Sequence, residues 1–294
     1  MFVLAATNYN VDHEDGRSLD PALLRRFDRR ILVDLPSKEE RHQYITQMLS
    51  DKPNFRVSED CIENIAIRSV NMSLADLESV IEFAMRNAIK AKDCIIDDKG
   101  FDDAFETFTS GEEKKWDMSQ LERVARHEAG HALVSWLSGD KPSYLTIVAR
   151  GEHGGYMQHG SKAERKGVRT RNELLADIRT SMAGRAAEVV YYGEEDGVST
   201  GASGDLYSAT RIAENMICRY GMDETVGLSS TSNSSVNRQR VNEILEHEYK
   251  NAKYLIAKNK DAIDALVKAL LEKNQLKENE IDEILKNNIC EQDK

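Results

Sequence analysis

The chain has 294 residues, 31% of them charged, and its 51 Asp and Glu against 40 Lys and Arg leave a net charge of -11. That length suits about two domains with a core that needs no disulfide staples, while the acidic balance disfavours nucleic acid, whose phosphates such a surface repels. No apolar run approaches the roughly 18 residues of a membrane span, and Cys61, Cys94, Cys218 and Cys290 show no C-x-x-C spacing, which with the lack of a basic leader points to a cytoplasmic location.

In chain order, "MFVLAATN" (1–8) reads as a short buried strand ending at Asn8, and its abrupt start suggests a piece of something longer. "DPALLRRF" (20–27) predicts a helical turn with Asp20 as cap and Pro21 at the first helical position, and 29–36 returns to strand. Helical patterns follow near 38–50, 59–69, 73–92 and 101–109, a small bundle closed by a polar linker over 110–120. Ser119 and Glu122 then suggest a capping box ahead of "LERVARHEAGHALVSWLSG", with Leu121, Val124, Leu133, Val134 and Leu137 as its apolar stripe and Gly139 as its stop. "SYLTIVAR" (143–150) alternates as a strand, "GEHGGYMQHG" reads as a flexible turn, 172–192 as a helix, and about 237–288 as two long helices. The expected class is mainly α (α+β), with a small β element.

His127, Glu128 and His131 fall within the helix that the capping box opens. Residues four apart on a helix point the same way, so the two imidazoles can hold one ion while Glu128 stands beside the open coordination position. This is the residue pattern of a zinc hydrolase, in which the glutamate serves as base and not as ligand.

A third ligand must come from far along the chain, since neither histidine nor glutamate follows His131 at short helical spacing. Asp205, after a Gly/Ser-rich turn at the start of a helix, suits the role; an N-cap is an equally good account of it. Glu188, in mid-helix, is the competing carboxylate, or else one that orients a ligand imidazole. His153, His159 and His247 are outside candidates, each more simply read as a solvated side chain.

The segments "HEAGHALV", "AGRAAEVV" and "STGASGDLYSAT" with a following "GM" resemble the peptidase domain of the FtsH family of ATP-dependent zinc metalloproteases. Upstream, "LAATN" resembles the sensor-1 strand of an AAA+ ATPase, "LDPALLRRFDRRILVDLP" its second region of homology, and 37–109 its helical lid. The resemblance implies three parts: a C-terminal remnant of the AAA+ core over 1–36, with partial core strands; the lid over 37–110; and a largely helical zinc metallopeptidase domain over 117–294. It implies His127, His131 and Asp205 as zinc ligands, Glu128 as general base, and Glu188 as support for a ligand. Asn8 then resembles the nucleotide sensor, and Arg25 with Arg26 or Arg29 the arginine fingers. The strand over 143–150 would be the edge to which substrate adds as an extra strand.

The chain departs from the family pattern at the contiguous Arg25 and Arg26, which Pro-Gly usually separates, at Leu74 in place of a lid glycine, and at Gly204 before Asp205. It also has no G-x-x-x-x-G-K-[ST] phosphate loop. The expectation is a zinc-dependent endopeptidase for unfolded or membrane-derived protein chains, part of an ATP-dependent machine whose ATP and Mg²⁺ chemistry requires a separately supplied ATPase part. A homo-oligomer, a hexameric ring in the family, and membrane association through segments beyond this chain belong to the same expectation. The alternative is a proteolytically weak ring-assembly or regulatory subunit.

Overall fold

Helix α1 (Lys38–Ser50) begins where the Ser37 hydroxyl accepts from the Glu40 backbone N–H and the Glu40 carboxylate accepts in return from the Ser37 backbone N–H. Ser58 caps α2 (Glu59–Arg68) by a single bond, Ser73 opens α3 (Leu74–Ala91) with the same reciprocal pair, through Asp76, and Asp97 caps α4 (Asp98–Ser110) by a single bond, each side chain satisfying a backbone N–H that the helix itself cannot. Ile45, Ile65, Leu77, Ile81, Phe101 and Phe105 close on a core of their own. A parallel pair of two-residue strands, β1 (Phe55–Arg56) and β2 (Ile96–Asp97), joins the bundle's loops, and Phe55 sets its ring edge-on to Phe101 at 5.6 Å. This pair is too short to leave a periodic signal in the sequence.

The computed structural model describes residues 3–7, 22, 25–92, 95–151, 154–160, 167–228 and 234–289. They divide into a unit of residues 1–35 and a unit of residues 36–294. Within the first, residues 3–7 and 29–35 carry no regular secondary structure, so the strands expected over 1–8 and 29–36 are not found among the described residues. Ile31, Leu32 and Val33 stand 81%, 86% and 87% exposed, and a strand needs a neighbouring backbone to pair with, which no described segment supplies. Asn8, Asp20 and Pro21 lie outside the described residues, as does most of the helical turn expected over 20–27.

The rest of the second unit is built on α5 (Met118–Leu137), β3 (Tyr144–Thr146), β4 (Tyr156–Gln158), α6 (Arg171–Asp196), α7 (Ser203–Cys218), α8 (Ser234–Lys258), α9 (Lys260–Lys273), β5 (Gln275–Lys277) and α10 (Glu278–Asn288). A second core gathers Leu133, Val134, Ile178, Ile217, Ile256 and Leu266. At roughly 1.5–3 kcal/mol for each large apolar side chain removed from water, this burial is what holds the helices around α5. The architecture is mainly α, with one small sheet.

Several expected boundaries change. The cap of α5 is Asp117, with Gln120 as its reciprocal partner, because Ser119 spends its hydroxyl as a donor to Asp117 Oδ1 at 2.7 Å. Glu122 instead pairs with Arg126 one turn on, at 2.8 Å. The segment read as a flexible turn contains β4. The tail is three helices and not two, broken where Asn274 takes a left-handed conformation (φ 64°) and leads into β5. The sheet order is β4-β3-β5, both pairs antiparallel, with Leu145 opposite Met157 on one side and Leu276 on the other. The strand after α5 is therefore central and, among the described residues, is not the edge expected over 143–150; the edges belong to β4 and β5.

The C-terminal end of α5 is tied to α10 by Asp282, which accepts from Trp136 Nε1 at 2.8 Å and pairs with Lys141 at 3.1 Å and Lys286 at 2.6 Å. Burial raises the Asp282 carboxyl, but its bonds to Lys286, Trp136 and Lys141 prevail and bring it down to about 2. A carboxyl lower in the fold than in the unfolded chain stabilises fully above the ordinary aspartate value of about 3.9, and that stability is lost as pH falls through about 2. Acid titration followed by circular dichroism should show Asp282→Asn removing this part of the acid dependence, with its destabilisation largest at neutral pH.

Candidate metal centre

Helix α5 packs along α6 through small residues. A Cβ on Gly130 would lie 2.7 Å from the Ala183 carbonyl oxygen and 2.8 Å from Ala187 Cβ, so only glycine allows this approach. The consequence is that His127 and His131, one turn apart on the buried side of α5, face α6 and the first turn of α7 at close range. Both imidazoles are buried, with ring centroids 4.8 Å apart.

Each ring is oriented by its Nδ1. His131 Nδ1 lies 2.7 Å from the Thr180 carbonyl oxygen, which can only accept, so this nitrogen carries the hydrogen and Nε2 presents a lone pair. His127 Nδ1 lies 2.8 Å from Glu188 Oε1, and the same reasoning gives its Nε2 a lone pair. Glu188 is itself fixed, accepting from Arg123 at 2.8 Å and from Ser199 Oγ at 3.1 Å.

The two Nε2 atoms lie 3.1 Å apart, and Asp205 Oδ2 lies 3.1 Å from one and 3.3 Å from the other. Three electron-pair donors at such distances repel one another unless a cation or a shared proton sits among them. Burial lowers the His127 pKa, but its bonds to Asp205 and Glu188 outweigh that and hold it up at about 10. Asp205, though burial raises it, is driven far below the usual carboxylate range by its bonds to the two histidines. The arrangement thus prefers a positive charge at its centre. Zinc, with bonds of about 2.0–2.1 Å in a tetrahedron, needs donors about 3.3 Å apart, and the trio fits.

Of the two carboxylates that compete on sequence grounds, Asp205 meets both Nε2 atoms and Glu188 meets the far side of one ring. Asp205 is no N-cap: α7 starts at Ser203 behind Ala202, so the aspartate sits within the first turn, aimed at the histidines. Glu128 is buried next to His127 with its Cγ against Gly155, and its carboxylate is outside the group of three converging donors. His159 pairs with Asp140 at 2.7 Å, His247 with Glu248 at 3.0 Å, and neither joins the cluster; His153 lies outside the described residues. Arg25, Arg26 and Arg29 are exposed in the 1–35 unit.

Three contributors escaped the sequence reading. Gly184 faces the point where the two imidazoles converge: a Cβ there would fall 2.4 Å from His127 Nε2 and 2.5 Å from His131 Nε2. It lies one turn before Glu188 on the same helix, a spacing that marks it once Glu188 is a candidate. Arg123, one turn before His127, carries the same kind of signal. Thr180 acts through its carbonyl oxygen, for which no residue type is diagnostic.

Glu188→Gln leaves an acceptor for His127 Nδ1 but removes the charge that holds the ring's hydrogen there. Metal affinity is expected to fall by about 10- to 100-fold, read by competition with a chromophoric chelator, without loss of helical structure.

Comparison with known proteins agrees with this geometry. Residues 114–240 match the model for peptidase family M41. The ATP-dependent zinc metalloprotease FtsH of Mycoplasma genitalium is 36% identical over 307 residues, covering 97% of this chain and 42% of the relative. That of Chloroflexus aggregans is 32% identical, covering 97% of the chain and 47% of the relative, and that of Mycoplasmopsis pulmonis is 40% identical over 211 residues, 69% of the chain and 29% of the relative. The chain spans less than half the length of these curated relatives. With the metal-ligand geometry, the M41 match and this similarity in place, the chain carries a peptidase domain of the FtsH family.

Proposed function

We propose that the chain is the proteolytic part of an ATP-dependent zinc endopeptidase, with His127, His131 and Asp205 as metal ligands and Glu128 as general base. The observation that carries this reading is the convergence of two lone-pair nitrogens and a carboxylate oxygen within 3.3 Å of one another. Zinc, when bound, supplies Lewis acidity toward a peptide carbonyl and toward water.

The side chains account for the remaining steps. Glu128 takes a proton from the water that adds to the carbonyl carbon, and returns it to the departing amine nitrogen as the C–N bond breaks. Thr180 and Glu188 keep each imidazole in the tautomer that directs Nε2 inward. Substrate adds as a strand along β4, whose described pairing is on one side only and whose neighbour Gly155 packs on Glu128. Because recognition by main-chain pairing needs an extended segment, unfolded or flexible protein chains are the expected substrates.

The wider assignments belong to the same proposal. Residues 37–110 are the AAA+ lid, 117–294 the peptidase domain, and 1–36 a remnant of the ATPase core in which Arg25, Arg26 and Arg29 serve a neighbouring subunit's nucleotide. In the full protein these parts work within a homo-oligomeric ring driven by ATP and Mg²⁺. Casein hydrolysis by the chain should stop when zinc is chelated and return when zinc is added back. Cleavage that persists at full rate in metal-free protein would reject the reading.

A further inference from the structure

Residues 36–110 touch the peptidase sheet through a charged cluster that the metal centre does not use. At its middle is Arg68, the last residue of α2, whose side chain is 1% exposed. It pairs with Asp102 and Glu106 of α4, and its guanidinium carbon lies 4.1 Å from the Tyr144 ring centroid, on β3, and 4.9 Å from that of Phe105. Glu106 in turn accepts a hydrogen bond from the Tyr156 hydroxyl at 2.8 Å. Two residues on, Gln158 Nε2 donates to the Ile67 carbonyl oxygen at 3.1 Å. Two residues on the same face of β4 are therefore held from the helical segment.

What lies just before β4, next to Tyr156, gives this contact its meaning. Gly155 precedes Tyr156 and is the wall against Glu128: a Cβ there would be 3.2 Å from Glu128 Cγ and 2.4 Å from the Thr146 carbonyl oxygen. Tyr156, whose ring and hydroxyl reach Glu106, is joined by a single peptide link to Gly155, the backbone that confines the general base. The cluster is also incompletely satisfied, since Arg68 Nε and Arg150 Nε have no hydrogen-bond partner among the described residues and Arg150 Nε stands 3.9 Å from Glu106. It borders a cavity of about 530 Å³ lined by Asp102, Glu106, Tyr144 and Arg150, so its ion pairs have room to rearrange.

We infer that Glu106, with Arg68, is a positioning residue for proteolysis: through the Tyr156 hydroxyl it fixes β4 against Glu128, so the docking of the 36–110 helices sets the peptidase rate. The catalytic consequence rests on the proteolytic reading above; the clamp itself is a statement about β4 alone.

Tyr156→Phe, Glu106→Ala and the double variant test it in the zinc-loaded full chain. Tyr156→Phe removes one hydroxyl and keeps the ring, so the fold is retained. Hydrogen exchange of the amides at 154–158 should speed up in each single variant and no further in the double. The rate of peptide cleavage should fall roughly tenfold in each single variant, and no further in the double, with zinc content unchanged. Arg68→Lys, which keeps the charge but not the two-pronged pairing, should fall between wild type and Glu106→Ala. Unchanged exchange at 154–158 in Tyr156→Phe, or multiplicative losses in the double variant, would overturn the clamp. If the wild-type chain cleaved nothing, the exchange data would still decide this inference, and only the proteolytic reading would fall.

Discussion

Glu128→Gln should abolish peptide hydrolysis while leaving zinc in place. The carboxylate is buried beside His127 but is not one of the three converging donors, so its replacement removes no metal ligand. What is lost is proton transfer: an amide nitrogen has no basic lone pair, and a positioned general base contributes about 10²- to 10⁴-fold. Gln is nearly isosteric, so packing against Gly155 survives. Single-turnover cleavage of a fluorogenic peptide, with zinc content measured on the same sample, checks both halves. Unchanged cleavage would remove Glu128 from its role, and loss of zinc along with activity would make it a ligand.

The second large effect is expected at a residue that carries no side chain. Gly184→Ala adds one methyl group, yet that methyl would stand 2.4 Å from His127 Nε2 and 2.5 Å from His131 Nε2, where an ion must sit. Neither ring can retreat without breaking its Nδ1 bond to Glu188 or Thr180, at 2.8 Å and 2.7 Å. The variant should bind zinc at least about 100-fold more weakly, a loss as large as that from removing support for a ligand, and be inactive, although alanine favours the helix by about 1 kcal/mol over glycine. Isothermal titration with Zn²⁺ and a thermal melt of the metal-free protein separate the two outcomes. A variant that melts as high as wild type but takes up no zinc is the expected result; retention of wild-type zinc affinity would mean that the metal position lies elsewhere.

The legible part of this protein was its long periodic segments and its helix-borne motif. His127, Glu128 and His131 could be placed on one helix because four-residue spacing is a geometric statement in itself. The helices of the 36–110 segment were legible from their periodic patterns near 38–50, 59–69, 73–92 and 101–109, and the structure adds their caps at Ser37, Ser58 and Ser73. What could not be read was set by distant pairing. β4 and β5 are three residues each, too short for a period, and they exist because β3 offers backbone on both sides. For the same reason the edge expected over 143–150 is not one: β3 is the central strand, between β4 and β5. Residue types alone leave Asp205 and Glu188 level, since both are carboxylates on helices; the family resemblance implies Asp205, and the crossing of α6 and α7 over α5 brings that residue to both Nε2 atoms. The apolar stretch over 31–33 shows the opposite failure, where strand-like residues lie exposed without a partner among the described residues.

The most direct test of the central claim is a crystal structure of the zinc-soaked chain with anomalous data collected on both sides of the zinc absorption edge. One peak is predicted, about 2.0–2.2 Å from His127 Nε2, His131 Nε2 and an Asp205 carboxylate oxygen, with Glu188 remaining on His127 Nδ1. An edge-specific peak bound by Glu128 or Glu188 in place of Asp205, or none at all between the two histidines, would contradict it.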